Sequence, residues 1–111
     1  MKNYRVVISP QAERDLKGVR AYLLMTFGVV TTDRIMLRIE KSILTLSQIP
    51  YWSRNASELF PALVNYYYLH LAKNTIFFRV NNQQSTVEII KIYDNHQNII
   101  THLLSDLVLD D

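Results

Sequence analysis

The side chains of this sequence that could do chemistry are three imidazoles and one short polar cluster. Imidazole is the side chain suited to proton transfer near neutral pH, and the chain carries it at His70, His96 and His102. The polar cluster, residues 94–98, contains His96 and follows a strand-like run. His96 could therefore exchange a proton, or the cluster could be a turn and a helix cap. The turn is the favoured interpretation, because no neighbour in sequence would activate His96.

Three cations recur along a second stretch of the chain, at Arg34, Arg38 and Lys41. Spacings of four and three residues place them on one face of a helix. Such a face could meet an acidic partner or nucleic acid, although most charged helical faces are simply solvated. Residues 1–60 carry nine Lys/Arg against five Asp/Glu, and residues 61–111 carry three against five. This modest excess permits an acidic partner without demanding nucleic acid.

Several classes of function find no support in the sequence. The chain has no cysteine and only two glycines, which excludes thiol chemistry and most phosphate-binding loops. The three histidines show no metal-binding spacing, so neither a metal nor another cofactor is expected. No apolar run reaches the length of a membrane span, and the N-terminus lacks a signal-peptide pattern. We therefore expect a cytoplasmic protein that is not in a membrane.

The elements that must position these residues centre on a predicted hairpin. Residues 75–80 and 86–93 are rich in β-branched and aromatic side chains, and the polar residues 81–85 between them favour a reversal. Residues 4–9 alternate as a first strand does, and Ser9-Pro10 then predicts a helix that ends at Gly28. A second helix is predicted for residues 32–47, with Thr31 or Thr32 as its cap.

The remaining segments complete a small α+β pattern. Residues 50–61 contain two prolines and predict an irregular linker, and residues 63–72 predict a second strand. Residues 99–109 suit a short C-terminal helix capped by Asn98. The order β-α-α-β-β-β predicts one domain over residues 1–111, in which an antiparallel helical hairpin packs on a small, mostly antiparallel sheet. The tyrosines at 66–68 could stack on bases, but cross-strand packing is the favoured interpretation.

The chain resembles the RelE/ParE superfamily of bacterial toxins, and more specifically its ParE-like branch. The segments that carry the resemblance are YRVVISPQAERDLKGVRAYL, ILTLSQIP, SELFPAL, NTIFFRV and VEIIKIYDNHQNIITHL. His96 stands where the family commonly has Arg, and His102-Leu103 matches the end of the final motif. The chain has Ser53-Arg54 in place of a common Gly-Arg, and it lacks an Arg near residues 63–65.

The resemblance implies one of two activities. RelE-like members are ribosome-dependent mRNA endonucleases, whereas ParE-like members block DNA gyrase. Where the nucleases place cations, this chain has Asn74-Thr75 and Asp94-Asn95, and phosphodiester cleavage needs cations near the developing charge. The resemblance therefore implies a toxin that is not an enzyme, binds DNA gyrase, is neutralised by a cognate antitoxin, and meets DNA only indirectly.

Candidate residues follow from both lines of reasoning. The residues expected to bind the target are Arg34, Arg38, Lys41, Arg54, Arg79, His96 and His102. The alternative, an mRNA endonuclease, would depend on His96, Tyr93 and Arg79. A second alternative is a degenerate toxin that is retained for antitoxin binding.

Overall fold

The computed structural model describes residues 3–48, 50, 53–58 and 61–95. Its elements in chain order are β1 (Arg5–Ile8), α1 (Pro10–Phe27), α2 (Val29–Gln48), β2 (Arg54–Asn55), a 3₁₀ turn (Ala56–Glu58), β3 (Tyr66–His70), β4 (Asn74–Asn81) and β5 (Thr86–Asp94). The predicted C-terminal helix at residues 99–109 lies outside the described residues. The rest of the predicted element order is confirmed.

The described strands form one mixed sheet in the order β1-β5-β4-β3-β2. β1 runs parallel to β5, and the other neighbours are antiparallel. The predicted hairpin is β4 and β5, and it forms the centre of the sheet. The register shifts between Phe77 and Phe78, and Ile90 is the extra residue of this bulge. The bulge allows Ile89 and Ile92 to pack on the same side although they are three residues apart.

The two helices pack on one face of the sheet. Their buried side chains meet those of β4 and β5 in the main core, which contains Ala12, Leu23, Met36, Ile39, Ile43, Leu46, Ile76, Phe78, Val80, Val87, Ile89 and Ile92. The opposite face carries a smaller cluster, formed by Ala56, Leu63, Tyr68, Phe77 and Tyr93. Tyr66 and Tyr67 stack across the strands on Phe77 and Phe78. The predicted packing role of the tyrosines is confirmed.

The start of α1 is built as the sequence predicts. The Ser9 hydroxyl accepts a hydrogen bond from the Ala12 amide at 3.0 Å, and it donates to the Ile90 carbonyl at 2.8 Å. The cap therefore also joins the helix to β5. Gly28 ends the helix with a φ of 84° and a ψ of −179°. Glycine adopts this positive φ without a steric cost, because it has no Cβ.

Two local predictions are wrong. The second helix begins at Val29, not at residue 32, because Gly28 alone turns the chain. Thr32 is consequently not a cap: it lies buried inside α2, where its hydroxyl donates to the Gly28 carbonyl at 2.7 Å. The segment 50–61 is not wholly irregular, since Arg54 and Asn55 pair with β3. A strand of two residues at the edge of the sheet is too short to show the alternation of apolar and polar side chains from which a strand is predicted.

Candidate functional site

A small cationic pocket lies between α2 and the turn that joins β3 to β4. Its volume is about 200 Å³, and three cations line it, Arg34, Arg38 and Lys73. The other lining residues are Ile35, Ile39, Leu71, Ala72 and Asn74. None of the lining residues is a carboxylate. We call this feature the three-cation pocket. The structure thus brings together two of the predicted site residues with Lys73, which the sequence did not indicate.

The turn that carries Lys73 is held in place by backbone and amide bonds. The Leu71 amide donates to the Asn74 carbonyl at 2.7 Å, which closes the turn. Asn95, at the end of β5, donates from its backbone to the Lys73 carbonyl at 3.0 Å and from its side chain to the Leu71 carbonyl at 2.8 Å. Asn95, the first residue after β5, therefore helps to fix the position of the turn that carries Lys73.

An exposed apolar ridge runs along α2 beside these cations. Val30, Leu37 and Leu44 recur every seven residues, and their exposed fractions are 83%, 51% and 66%. Arg34 and Lys41 follow this ridge on one side, since each lies four residues after a ridge position. The outer face of α2 is therefore a basic strip bordered by apolar side chains.

Arg54 and Arg79, two cations on the sheet face away from the helices, have acidic partners. Arg79 lies 3.7 Å from Glu88 across the β4–β5 pair, and Arg54 lies 3.8 Å from Glu58. Arg79 also lines an open cleft of about 480 Å³ with Tyr66 and the amides of Asn81, Asn82 and Gln83. These two predicted site residues are thus separate from the three-cation pocket, and their charge is locally balanced.

Tyr93 cannot serve the nuclease alternative from its position in this structure. Its side chain is 1% exposed and belongs to the smaller core cluster. A buried ring cannot reach a phosphodiester without displacing the residues that cover it. The burial of Tyr93 counts against its place in a nuclease site. Alternation along β5 could not show that Ala56 and Leu63 cover this face of the strand.

His70 is a candidate that sequence reasoning passed over. Thr75 donates its hydroxyl proton to Asn95 Oδ1 at 2.6 Å. Since a hydroxyl has only one proton, the contact of 2.6 Å between Thr75 Oγ1 and His70 Nδ1 requires the imidazole to donate. In this arrangement His70 carries a proton on Nδ1, and the residue is exposed. Spacing gave no signal for this residue, because its partners come from β4 and from the end of β5.

A groove of about 470 Å³ separates α1 from β5, and it borders the β3–β4 turn that carries Lys73. At its base the Lys91 ammonium donates to both oxygens of Asp15, at 3.2 and 3.4 Å. The Ile92 amide donates to the same carboxylate at 3.0 Å. Lys73 borders this groove too, with its ammonium 4.9 Å from the centre of the Phe27 ring. The Asp15 carboxylate thus ties α1 to the bulged strand.

Two of the predicted site residues, His96 and His102, lie outside the described residues. Within the described part of the chain, no group of three His, Asp or Glu side chains is placed to hold a metal ion. No helix in that part is long and apolar enough to span a membrane.

Solved structures of toxins share this fold. The chromosomal ParDE toxin–antitoxin system of P. aeruginosa is similar with a TM-score of 0.69 at 16% identity, covering 85% of this chain and 98% of that one. The RelBE2 toxin–antitoxin complex of Mycobacterium tuberculosis is similar with a TM-score of 0.64 at 18% identity, covering 87% of this chain and 97% of that one. The isolated RelE toxin of E. coli is similar with a TM-score of 0.53 at 13% identity, covering 94% of this chain and 98% of that one. At these low sequence identities, the structural similarity shows a common fold and nothing more.

Sequence comparison gives the narrower assignment. No curated protein sequence matches the chain. The family model for the ParE toxin of the type II toxin–antitoxin system parDE, however, matches residues 6–99, which includes every described helix and the three long strands of the sheet. The chain therefore belongs to the ParE toxin family of type II toxin–antitoxin systems.

Proposed function

We propose that this toxin acts in the cytoplasm by binding DNA gyrase directly, and that a cognate antitoxin holds it inactive. The observation that carries the proposal is the match of the ParE toxin family model over residues 6–99. The similar P. aeruginosa and M. tuberculosis structures are toxin–antitoxin systems, which supports an antitoxin as the second partner. DNA is then reached only through gyrase or through the antitoxin.

The charges of the sheet support binding over catalysis. A ribonuclease must place cations where negative charge develops on the phosphate. Here Arg54 and Arg79 face carboxylates, and each pair leaves no net charge to stabilise such a transition state. Arg34 and Arg38 belong to none of the described ion pairs, and they lie on the helical side of the molecule. The pairing of Arg54 and Arg79 with carboxylates thus counts against a phosphate site at these two residues and supports contact with a protein.

The first test is a direct interaction with gyrase. Purified toxin is added to gyrase in a pull-down and to a plasmid supercoiling reaction, and the toxin–antitoxin complex serves as the control. We expect the free toxin to bind gyrase and to reduce supercoiling, and the complex to do neither. Full supercoiling at micromolar toxin would contradict the proposal.

A ribosome-dependent mRNA endonuclease is the second candidate, and one observation favours it. The hydrogen bond to Thr75 requires a proton on His70 Nδ1, so in the neutral ring Nε2 is the proton acceptor, on an exposed residue. This function predicts transcript cuts on translating ribosomes that are lost in a His70→Ala or a His96→Ala variant. Transcripts that stay intact in the presence of wild-type toxin would exclude it.

A further inference from the structure

We propose that the C-terminal segment of this chain, residues 99–109, docks in the groove between α1 and β5 and covers its apolar wall. The groove has a volume of about 470 Å³. The segment follows Asn95, the last of the described residues, and its sequence is amphipathic. The inference goes beyond the proposed function, because it concerns a contact that the toxin makes with itself. A groove filled in this way is closed to other molecules until the segment leaves.

The first argument is the exposed apolar surface of the groove. Tyr22 and Phe27 line it from α1, and they are 56% and 46% exposed. Leu23 lines it too and is part of the main core, so the apolar wall is continuous with the interior. Gly18 faces the same groove, and nothing lies within 4 Å of the position that a Cβ would take there. The groove therefore has room for the side chains of another element.

The second argument is the place where the chain leaves β5. Asp94 lines the groove, and the backbone amide of Asn95 donates to the Lys73 carbonyl at 3.0 Å. The Lys73 ammonium lies 4.9 Å from the centre of the Phe27 ring, at the end of the groove where α1 ends. At a rise of about 1.5 Å per residue, a helix over residues 99–109 is about 16 Å long, and the part of α1 that lines the groove is about 20 Å long. The segment is thus attached at one end of the groove and is short enough to lie inside it.

The third argument is that the segment and the groove are complementary. At helical spacing the segment has one apolar stripe, formed by Ile99, Ile100, Leu103, Leu104 and Leu107. Residues 96–111 carry three Asp and no Lys or Arg, and carboxylates near the C-terminal end of a helix are unfavourable unless a cation lies close to them. Arg14 lines the far end of the groove and belongs to none of the described ion pairs. The stripe therefore suits the apolar wall, and the acidic end of the segment suits Arg14.

The test is disulfide trapping in the full chain, which contains no cysteine of its own. The test variant is Tyr22→Cys/Leu103→Cys, and the control variant is Leu24→Cys/Leu103→Cys. Leu24 is 37% exposed on the same helix, does not line the groove, and lies about 200° around the helix from Tyr22. Thermal melts of the reduced variants check that both are folded. Equilibration in glutathione buffers then gives the effective concentration of the two thiols in each variant.

We expect the effective concentration in the test variant to exceed that in the control variant by about tenfold, at every protein concentration. Adding Leu104→Ser and Leu107→Ser to the test variant should lower it to the control value, because the apolar stripe is then lost. Equal values in the test and control variants would overturn the proposal. A value that the two serines leave unchanged would overturn it as well, and so would disulfides that join two molecules instead of forming within one. Because gyrase is absent, failure here leaves the supercoiling test unaffected.

Discussion

Removing the Asp15 carboxylate should weaken the whole fold, because this one group satisfies two partners on β5. Lys91 donates to it from Nζ at 3.2 Å, and the backbone amide of Ile92 donates to it at 3.0 Å. Its side chain is 12% exposed, and that of Lys91 is 21% exposed. An Asp15→Ala variant leaves an ammonium and an amide without this acceptor, at the base of the groove between α1 and β5, where these side chains are mostly buried.

The expected loss is about 3 kcal/mol in the free energy of unfolding. Leaving a buried amide unpaired costs about 1–3 kcal/mol. Breaking a fully buried ion pair costs about 3–5 kcal/mol, and we take less than half of that range because Lys91 keeps about a fifth of its surface in water. For a domain of this size, 1 kcal/mol shifts the melting temperature by about 4 °C. The variant should therefore melt about 12 °C lower.

The assay is urea unfolding followed by circular dichroism, with two further variants. Asp15→Asn keeps an acceptor for the Ile92 amide and loses the charge, so we expect about half of the destabilisation. Asp15→Ala/Lys91→Met removes both charges and should be more stable than Asp15→Ala alone. An Asp15→Ala variant within about 0.5 kcal/mol of wild type would refute the reasoning, since surface substitutions usually lie in that range.

Four further substitutions test the scaffold by urea unfolding. Ser9→Ala removes the cap of α1 and should cost about 1–2 kcal/mol; an unchanged midpoint would contradict that role. Gly28→Ala should cost about 1–3 kcal/mol because φ is 84° there, whereas Gly18→Ala, in a helical position with open space around it, should stabilise by about 0.5–1 kcal/mol. Equal effects at the two glycines would refute the conformational explanation. Leu46→Ala empties a fully buried position and should cost about 2–5 kcal/mol, and a loss below 1 kcal/mol would show that the site repacks.

The sequence was sufficient for the elements whose signals are local. The alternating β-branched residues of β4 and β5, the Ser9-Pro10 start of α1 and Gly28 at its end each act within a few residues, and the structure confirms all of them. Local signals also predicted that the tyrosines of β3 pack across strands. The start of α2 was misplaced because Thr31 and Thr32 are good caps in isolation, whereas one glycine already turns the chain.

The site was predictable only in part, because its members are distant in sequence. Arg34 and Arg38 reveal their common face by spacing, but Lys73 joins them through the tertiary fold. Asp15 and Lys91 are separated by 76 residues. The proton on His70 Nδ1 likewise depends on a chain of bonds through Thr75, and no periodicity encodes such a chain.

The most direct test of the central proposal is the state of plasmid DNA after incubation with gyrase, ATP and purified toxin. The reaction is stopped with detergent, digested with protease and run on a gel, with gyrase alone and the toxin–antitoxin complex as controls. We expect linear DNA to accumulate with toxin concentration in the free-toxin lanes only. Full supercoiling with no linear DNA at micromolar toxin would contradict the proposal that gyrase is the target.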